Sequence, residues 1–195
     1  MADMHSKKKT AAPEHLQNEP YIVPADPDKM DEIKAIILQI FPVVYNHDFY
    51  AKLFSKNTFL QLLCNSATHE IVGLFALRLS NSNTMDLSGS PHSAIPNCEC
   101  SGMNKFEEDK FMYVILIGII EKYQGHGYGK MLLKEIDSIS VAYGIPHIFL
   151  HVQTSNLRAI EFYYKSGFKL AKLITNYYTN VYPKDAFLLR KCLLQ

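Results

Sequence analysis

The chain has 195 residues, of which 48% are hydrophobic and 20% charged, and its formal net charge is +1. These values are typical of one soluble globular domain, and a charge so close to zero gives no electrostatic reason to expect a nucleic-acid partner. No apolar run reaches the length of a membrane span and the N-terminus lacks a signal-peptide core, so we expect a cytoplasmic protein, with the nucleus as an additional location.

The N-terminal part of the chain predicts a tail followed by two helices. Residues 1–20 are polar and are expected to form a disordered tail. Asp26 and Pro27 suit the cap and the first position of a helix whose isoleucines repeat at helical spacing, and Pro42 ends it. A short second helix is predicted over residues 47–54.

A hairpin and a long insertion come next. Two strands, "TFLQLLCN" and "EIVGLFALRLS", are joined by a hairpin-sized loop. Residues 80–110 are rich in Ser, Asn, Gly and Pro without an apolar period, so we expect a flexible insertion within a single domain spanning 21–195. Cys98 and Cys100 lie in this segment, but no second ligand pair follows at a credible spacing, so no metal site is predicted.

The C-terminal half alternates strands with helices. It reads strand "FMYVILIGII", helix "KMLLKEIDSISVAYG", strand "HIFLHVQ" and helix "NLRAIEFYYKSG", and two strands around a turn containing Tyr and Pro close the chain. A strand–helix–strand unit requires parallel pairing, whereas a hairpin is antiparallel. The sequence therefore predicts an α/β domain with a mixed sheet.

A glycine-rich stretch, "YQGHGYGKMLL", joins the first of these strands to its helix. Gly125, Gly127 and Gly129 allow backbone N–H groups to point into one space, and the positive end of the helix adds to their attraction for an anion such as phosphate. Neither the G-x-x-x-x-G-K-[ST] nor the G-x-G-x-x-G pattern of nucleotide-binding loops is present. The alternative to an anion-binding loop is a glycine-rich turn that starts a helix and binds nothing.

The stretch Gln124–Gly129 resembles the Q/R-x-x-G-x-G/A signature of the GNAT acetyltransferase superfamily. The resemblance continues in "FPVVYNHDFY", "IFLHVQTSNLRAIEFYYKSGF" and "NYYTNVYPKDA". Together these segments are similar to the catalytic subunit of NatE-type N-alpha-acetyltransferases, which act on N-terminal methionine. The resemblance covers residues from about 21 to the C-terminus, apart from the insertion. It implies the GNAT fold, a mixed, mostly antiparallel sheet with a central parallel βαβ unit and flanking helices.

The resemblance implies that acetyl-CoA is the cosubstrate and that no metal is needed. In the family, backbone amides of the strand, which here would be those of Ile119 and Ile120, hold the pantetheine arm. The loop binds the pyrophosphate, and the next helix supplies an Asn and a Tyr near the amide and sulfur ends of CoA. The matching residues here are Ile117, Ile119, Ile120, Gln124, Gly125, His126, Gly127, Tyr128, Gly129, Lys130, Asn156 and Tyr163. Without the family, Asn156 could be a plain helix cap and Tyr163 a core aromatic. Gln124 stands where many relatives carry Arg, so it can donate to phosphate but adds no charge.

Tyr113 and His151 match the family's catalytic pair, which works through an ordered water. Both lie in otherwise apolar strands on either side of the helix that follows the glycine loop. A histidine in such a strand is more often a core residue, but Tyr113 on the neighbouring strand offers it a polar partner. We expect the reaction rate to rise from about pH 6 to above 8, as His151 and the substrate amine both lose protons.

Peptide recognition is also implied by the resemblance. The residues that match the family's peptide site are Phe41, Pro42, Val43, Tyr45, Ile115, Tyr177 and Tyr178. The first four would shape a pocket for the first side chain, with Ile115 beside it, and the two tyrosines would cover the peptide. Consecutive strand residues point to opposite faces, so only one of these tyrosines is expected to reach the peptide with its side chain.

The expected partners are the N-terminal peptides of nascent or finished proteins and, by resemblance, a NatA complex at the ribosome. Three alternatives remain open: a NatF-like N-terminal acetyltransferase, a lysine acetyltransferase, and a non-catalytic subunit that scaffolds the NatA complex. A free α-amino group favours N-terminal chemistry, because its pKa is about 2.5 units below that of a lysine amine, a difference of about 3.4 kcal/mol.

Overall fold

The computed structural model describes residues 19–41, 43–81, 110–179 and 181–193. Most of the predicted N-terminal tail and most of the predicted insertion, with Cys98 and Cys100, therefore lie outside the described residues. The same is true of Pro42, which the sequence places in the peptide pocket. These expectations stay predictions.

Over the described ranges, one sheet of seven strands forms the centre of the domain, in the order β1-β2-β3-β4-β5-β7-β6. The strands are β1 (Tyr21–Pro24), β2 (Thr58–Cys64), β3 (Ile71–Asn81), β4 (Lys110–Ile119), β5 (His147–Gln153), β6 (Lys169–Ile174) and β7 (Ala186–Cys192). All neighbours pair antiparallel except β4 and β5, which are parallel. The predicted mixed, mostly antiparallel sheet with a central parallel unit is confirmed. β1 was not predicted, because four residues are too few to display an alternating pattern.

In the part of the chain that the structure describes, four α-helices flank the sheet: α1 (Met30–Ile40), α2 (His47–Leu53), α3 (Tyr128–Ala142) and α4 (Leu157–Lys165). The predicted cap at Asp26 acts one turn before α1, because its carboxylate accepts from the Asp28 amide at 3.0 Å and caps a 3₁₀ turn over Pro27–Lys29. The Asn46 side chain caps α2 in the same way. None of the helices within the described residues is long and apolar enough to cross a membrane.

The helices cover the two faces of the sheet unequally. On one face, α3 and α4 bury Leu132, Ile136 and Ile160 against the central strands. On the other face, α1 buries Ile33 and Ile37 and α2 buries Leu53 against β2, β3 and β4. The rest of this second face, over β5, β7 and β6, has no helix on it within the described residues. The polar groups discussed below lie where the helix-covered part of this face meets the uncovered part.

An ion pair ties α3 to the last strand. The Lys191 ammonium on β7 donates to the Asp137 carboxylate on α3 at 2.7 Å, and the two side chains are only 16% and 30% exposed. Because α3 begins directly after the glycine loop, this pair helps to fix the position of the loop relative to the sheet.

Candidate active site

The two parallel strands at the middle of the sheet separate along their length. Among the described residues, β4 and β5 pair only at Met112↔Ile148 and Tyr113↔Phe149, and both strands continue beyond these positions. Paired strands lie about 4.8 Å apart, and strands that stop pairing leave a widening gap between them. The backbone groups that line this gap are therefore not used by the sheet.

Alternate residues of β4 direct their backbone groups into the gap. The Ile120 amide donates to the Val72 carbonyl at 2.9 Å, so its backbone faces β3. Since successive residues face opposite neighbours, Ile117 and Ile119 face the gap, and the Ile119 carbonyl indeed accepts from the Gln124 side chain at 3.0 Å. The predicted contact of the Ile120 amide with CoA is therefore wrong, because that amide is already bonded to β3. The Ile119 amide, the other one predicted to hold CoA, faces the gap, and its contact with CoA stays a prediction.

The glycine loop lies just beyond the end of β4. Gly125 and Gly127 both have φ of +84°, a left-handed conformation that favours glycine, and a Cβ added to either would meet nothing within 4 Å. α3 begins at Tyr128 without a side-chain cap. The space beside both glycines, at the start of α3, is therefore open, as an anion bound at a helix start would require.

The other loop residues serve the loop itself or the packing around it. A Cβ on Gly129 would come within 3.1 Å of the Phe162 ring, so this glycine is needed for α3 to approach α4. The His126 Nδ1–H group donates back to the Gln124 carbonyl at 3.0 Å. Lys130 is exposed on the first turn of α3. The sequence grouped all three glycines as phosphate-binding, and the structure gives the third a packing role.

Asn156 and Tyr163 have structural roles in α4. The Asn156 side chain caps the helix by accepting from the Ala159 amide at 3.2 Å. Tyr163 is buried, with ring centroids 5.4 Å from Phe162 and 5.5 Å from Phe168, and burial raises the pKa of its phenol. These are the two alternatives left open from the sequence, and contacts of either residue with CoA stay predictions.

Tyr113 and His151 meet beside the gap, as predicted. The Tyr113 hydroxyl lies 2.7 Å from His151 Nδ1. β4 has one residue more than β3 at Ile115, which forms a bulge between Val114 and Leu116. The extra residue changes which residues of β4 point to each face of the sheet. Ile115 itself contacts the clusters on both sides of the boundary described above. The pair and the predicted pocket residue are therefore neighbours.

Burial keeps both members of the pair neutral. It lowers the pKa of His151 to about 4, and it holds the pKa of Tyr113 well above its usual value, with Tyr177 and Tyr178 adding to the effect. The imidazole is therefore unprotonated at every pH at which the enzyme is expected to work. Burial therefore does not support the expected loss of a proton from His151 between pH 6 and 8, because it favours the neutral imidazole throughout this range.

The predicted peptide pocket begins at the end of α1. Gly118 on β4 has no side chain, and a Cβ there would collide with Ile40 and approach the Phe41 ring to 3.1 Å. α1 therefore ends directly on β4, and the segment that follows starts over the gap. Val43 continues it, with its amide donating to the Phe41 carbonyl at 2.8 Å.

Three tyrosines line the predicted peptide site from two directions. Tyr45 stacks on Phe49 with ring centroids 3.9 Å apart. Burial raises the pKa of the Tyr45 phenol most, and the nearby Tyr50 and Tyr177 add to this effect. Burial, with Tyr177 and then Tyr45 beside it, also raises the pKa of Tyr178 to about 12. The phenols of Tyr45, Tyr177 and Tyr178 therefore lie close together. Tyr177 and Tyr178 lie outside any strand. The expected alternation between them therefore does not apply, and both side chains reach this side.

Contacts of Arg78 and Glu70 are among the contributions to the site that were missed from the sequence. The Arg78 guanidinium lies 5.7 Å from the centre of the Tyr113 ring, because the two residues are cross-strand partners. The Glu70 carboxylate accepts from the Tyr123 hydroxyl at 2.7 Å and so holds the turn that precedes the glycine loop. No local pattern indicates either contact, since each depends on strand register.

The parallel strands that separate and the open helix start beside them agree with the GNAT fold that the resemblance implies, and comparison with known proteins tests it. Residues 30–168 match the Acetyltransferase (GNAT) family. This range is well over half of the chain. The chain therefore belongs to the GNAT acetyltransferase family, as the glycine-loop signature predicted.

Individual relatives have N-terminal acetyltransferase names. The chain is 29% identical to N-alpha-acetyltransferase 50 of Danio rerio, over 86% of this chain and 84% of that protein. It is 27% identical to N-alpha-acetyltransferase 60 of Danio rerio, over 78% of this chain and 60% of that protein. Among solved structures, Arabidopsis thaliana Naa50 in complex with the bisubstrate analogue CoA-Ac-MVNAL superposes with a TM-score of 0.67 at 26% identity, covering 88% of this chain and 97% of that one.

Proposed function

We propose that this protein transfers the acetyl group of acetyl-CoA to the α-amino group of protein N-termini, with a preference for Met followed by an apolar residue. The observation that carries the proposal is the contact of 2.7 Å between Tyr113 and His151, beside a gap that opens between the glycine loop and the predicted peptide pocket. The peptide of the analogue bound to Arabidopsis thaliana Naa50, MVNAL, begins with Met and Val and supports the same preference.

The chain's own residues suggest how each substrate is held. The amides of Ile117 and Ile119 face the gap and suit the amide-bearing arm of CoA. The open space at Gly125 and Gly127 suits its pyrophosphate. A peptide N-terminus would enter from the opposite side, between the segment after α1 and the tyrosines that follow β6. Its amine would then lie beside His151.

The proposed reaction needs little activation of the nucleophile. The neutral α-amine forms a bond to the thioester carbonyl carbon, and the carbon–sulfur bond breaks to leave CoA as a thiolate. His151 accepts the proton that the nitrogen loses, through a water and with Tyr113 holding its ring, and the proton then passes to the sulfur, so CoA is released as the thiol. About a tenth to a fifth of an α-amine is already neutral at pH 7, so a weakly basic buried imidazole suffices.

A peptide panel tests the proposal. Peptides starting Met-Leu and Ser-Glu, and an internal-Lys peptide with a blocked N-terminus, are compared by their kcat/KM with acetyl-CoA. We expect the Met-Leu peptide to react best and the blocked peptide poorly. Faster acetylation of the lysine peptide would contradict N-terminal specificity, and no turnover with any peptide would favour a non-catalytic subunit.

Variants of the catalytic pair test the mechanism separately. Tyr113→Phe and His151→Ala should each lower kcat strongly, within the roughly 10²–10⁴-fold that a general base contributes. The double variant should lose little more, because residues that act as one unit fail together. A His151→Ala variant with wild-type kcat would contradict the role of the base. Association with a NatA complex and a cytoplasmic location stay predictions from the resemblance.

A further inference from the structure

Tyr177 makes contacts that peptide binding does not explain. Its hydroxyl lies 3.3 Å from the Tyr113 hydroxyl. Its ring stacks on the His151 imidazole with centroids 4.1 Å apart and planes inclined by only 14°. Tyr177 therefore contacts both members of the predicted catalytic pair, in addition to facing the peptide pocket.

The loop that carries Tyr177 is tied to the strand that carries His151. The Asp185 carbonyl accepts from the Thr154 amide at 3.0 Å, and its carboxylate accepts from the Asn176 amide at 2.9 Å. The Gln153 side chain donates to the Pro183 carbonyl at 2.7 Å. These bonds join the connection between β6 and β7 to the end of β5, so the stacked rings belong to one framework.

The proton on the imidazole has two possible positions. If Tyr113 donates to His151 Nδ1, the ring proton lies on Nε2, which then has no lone pair with which to act as a base. If Nδ1–H donates to Tyr113, Nε2 keeps its lone pair, and the Tyr113 hydroxyl must donate to another acceptor. Nε2 is buried and meets no polar partner in the described parts of the chain, so the choice is made at Nδ1. The Tyr177 hydroxyl is an acceptor within reach of Tyr113.

We propose that Tyr177 is a positioning residue that selects the tautomer of His151. Its hydroxyl accepts from Tyr113, Tyr113 accepts from His151 Nδ1–H, and Nε2 is left unprotonated with a free lone pair. The stacked phenol ring keeps the imidazole in the plane that this chain of hydrogen bonds requires. The catalytic consequence rests on the proposed function, whereas the tautomer is a property of the protein alone.

The tautomer can be observed directly in the full-length ¹⁵N-labelled protein. Long-range ¹H–¹⁵N correlation spectra at neutral pH show which ring nitrogen carries the proton, and His151→Gln assigns the signals. We expect the proton on Nδ1 in the wild type and on Nε2 in Tyr177→Phe, which keeps the stacked ring but lacks the acceptor. With a Met-Leu peptide, the variant should lose about tenfold or more in kcat, while KM for acetyl-CoA stays unchanged.

Tyr182→Phe is the matched control, because Tyr182 lies in the same loop, is 91% exposed and loses the same hydroxyl. It should change neither the tautomer nor kcat. A proton on Nε2 in the wild type, or the same tautomer in wild type and Tyr177→Phe, would overturn the inference. If no peptide is acetylated but the tautomer still changes in Tyr177→Phe, the proposed function fails and the inference stands.

Discussion

The pH dependence of kcat/KM separates a buried, neutral histidine from an ordinary one. Burial lowers the pKa of His151 to about 4. A group with a lowered pKa stays neutral above it, so between pH 5 and 8 the substrate amine alone should titrate. With an amine pKa of about 7.8, the neutral fraction rises about tenfold from pH 5 to 6 and about 40-fold from pH 6 to 8. If His151 titrated at the ordinary pKa of histidine as well, kcat/KM would rise about 80-fold from pH 5 to 6 and about 160-fold from pH 6 to 8.

The assay measures kcat/KM for a Met-Leu peptide from thiol release, because this ratio reports the ionisation of the free enzyme and the free substrate. The melting temperature is recorded at each pH to exclude unfolding. A peptide whose α-amine has a lower pKa should shift the curve by that difference, since the enzyme contributes nothing to it. A slope approaching two below pH 6, or an inflection near 6.5, would refute the argument that burial fixes the charge of His151.

Three further predictions concern the framework of the site. Acetyl-CoA at a hundredfold excess over Kd should stabilise the wild type by about 2.7 kcal/mol, and Gly127→Val should lose most of the resulting rise in melting temperature. Gly144→Val is the control and should keep this rise, because Gly144 has a similarly left-handed and open position but lies after α3. Gly118→Ala should raise KM for the peptide severalfold and leave KM for acetyl-CoA unchanged, because the new methyl group displaces the end of α1; equal increases in both would contradict this. Asp137→Ala should lower the free energy of unfolding, measured by chemical denaturation, by about 2 kcal/mol, because it leaves the largely buried Lys191 ammonium without its partner. Asp31→Ala removes an exposed ion pair with Lys34 and should lower the same free energy by less than about 0.5 kcal/mol.

Local patterns were sufficient for most of the fold. The predicted helices and strands agree with the observed ones to within two or three residues, because helical spacing, caps and glycine stops act within a few residues of each other. The misses are short: β1, and the 3₁₀ turns over Pro27–Lys29 and Glu121–Tyr123. None of these is long enough to display a period.

The site was predictable only in part, because its contacts join distant segments. The signature indicated the glycine loop, and the resemblance indicated the pair Tyr113 and His151. The error at Ile120 arose because the direction of a backbone amide depends on which neighbour the strand pairs with. The stacking of Tyr177 on His151 was missed for a similar reason, since the loop position depends on hydrogen bonds to the end of β5.

The tyrosines that surround the site also set an alkaline limit for the protein. Burial raises the pKa of Tyr45, Tyr113, Tyr163 and Tyr178, so the folded state holds these phenols neutral where the unfolded chain would ionise them. A raised pKa gives stability that is fully present below about pH 10 and is lost as pH rises through the folded-state value. The chain has 12 tyrosines and no tryptophan, so its near-ultraviolet spectrum comes almost entirely from phenols. Base-induced unfolding should therefore appear as a cooperative step in phenolate absorbance, in which the tyrosines around the active site ionise together as the fold is lost.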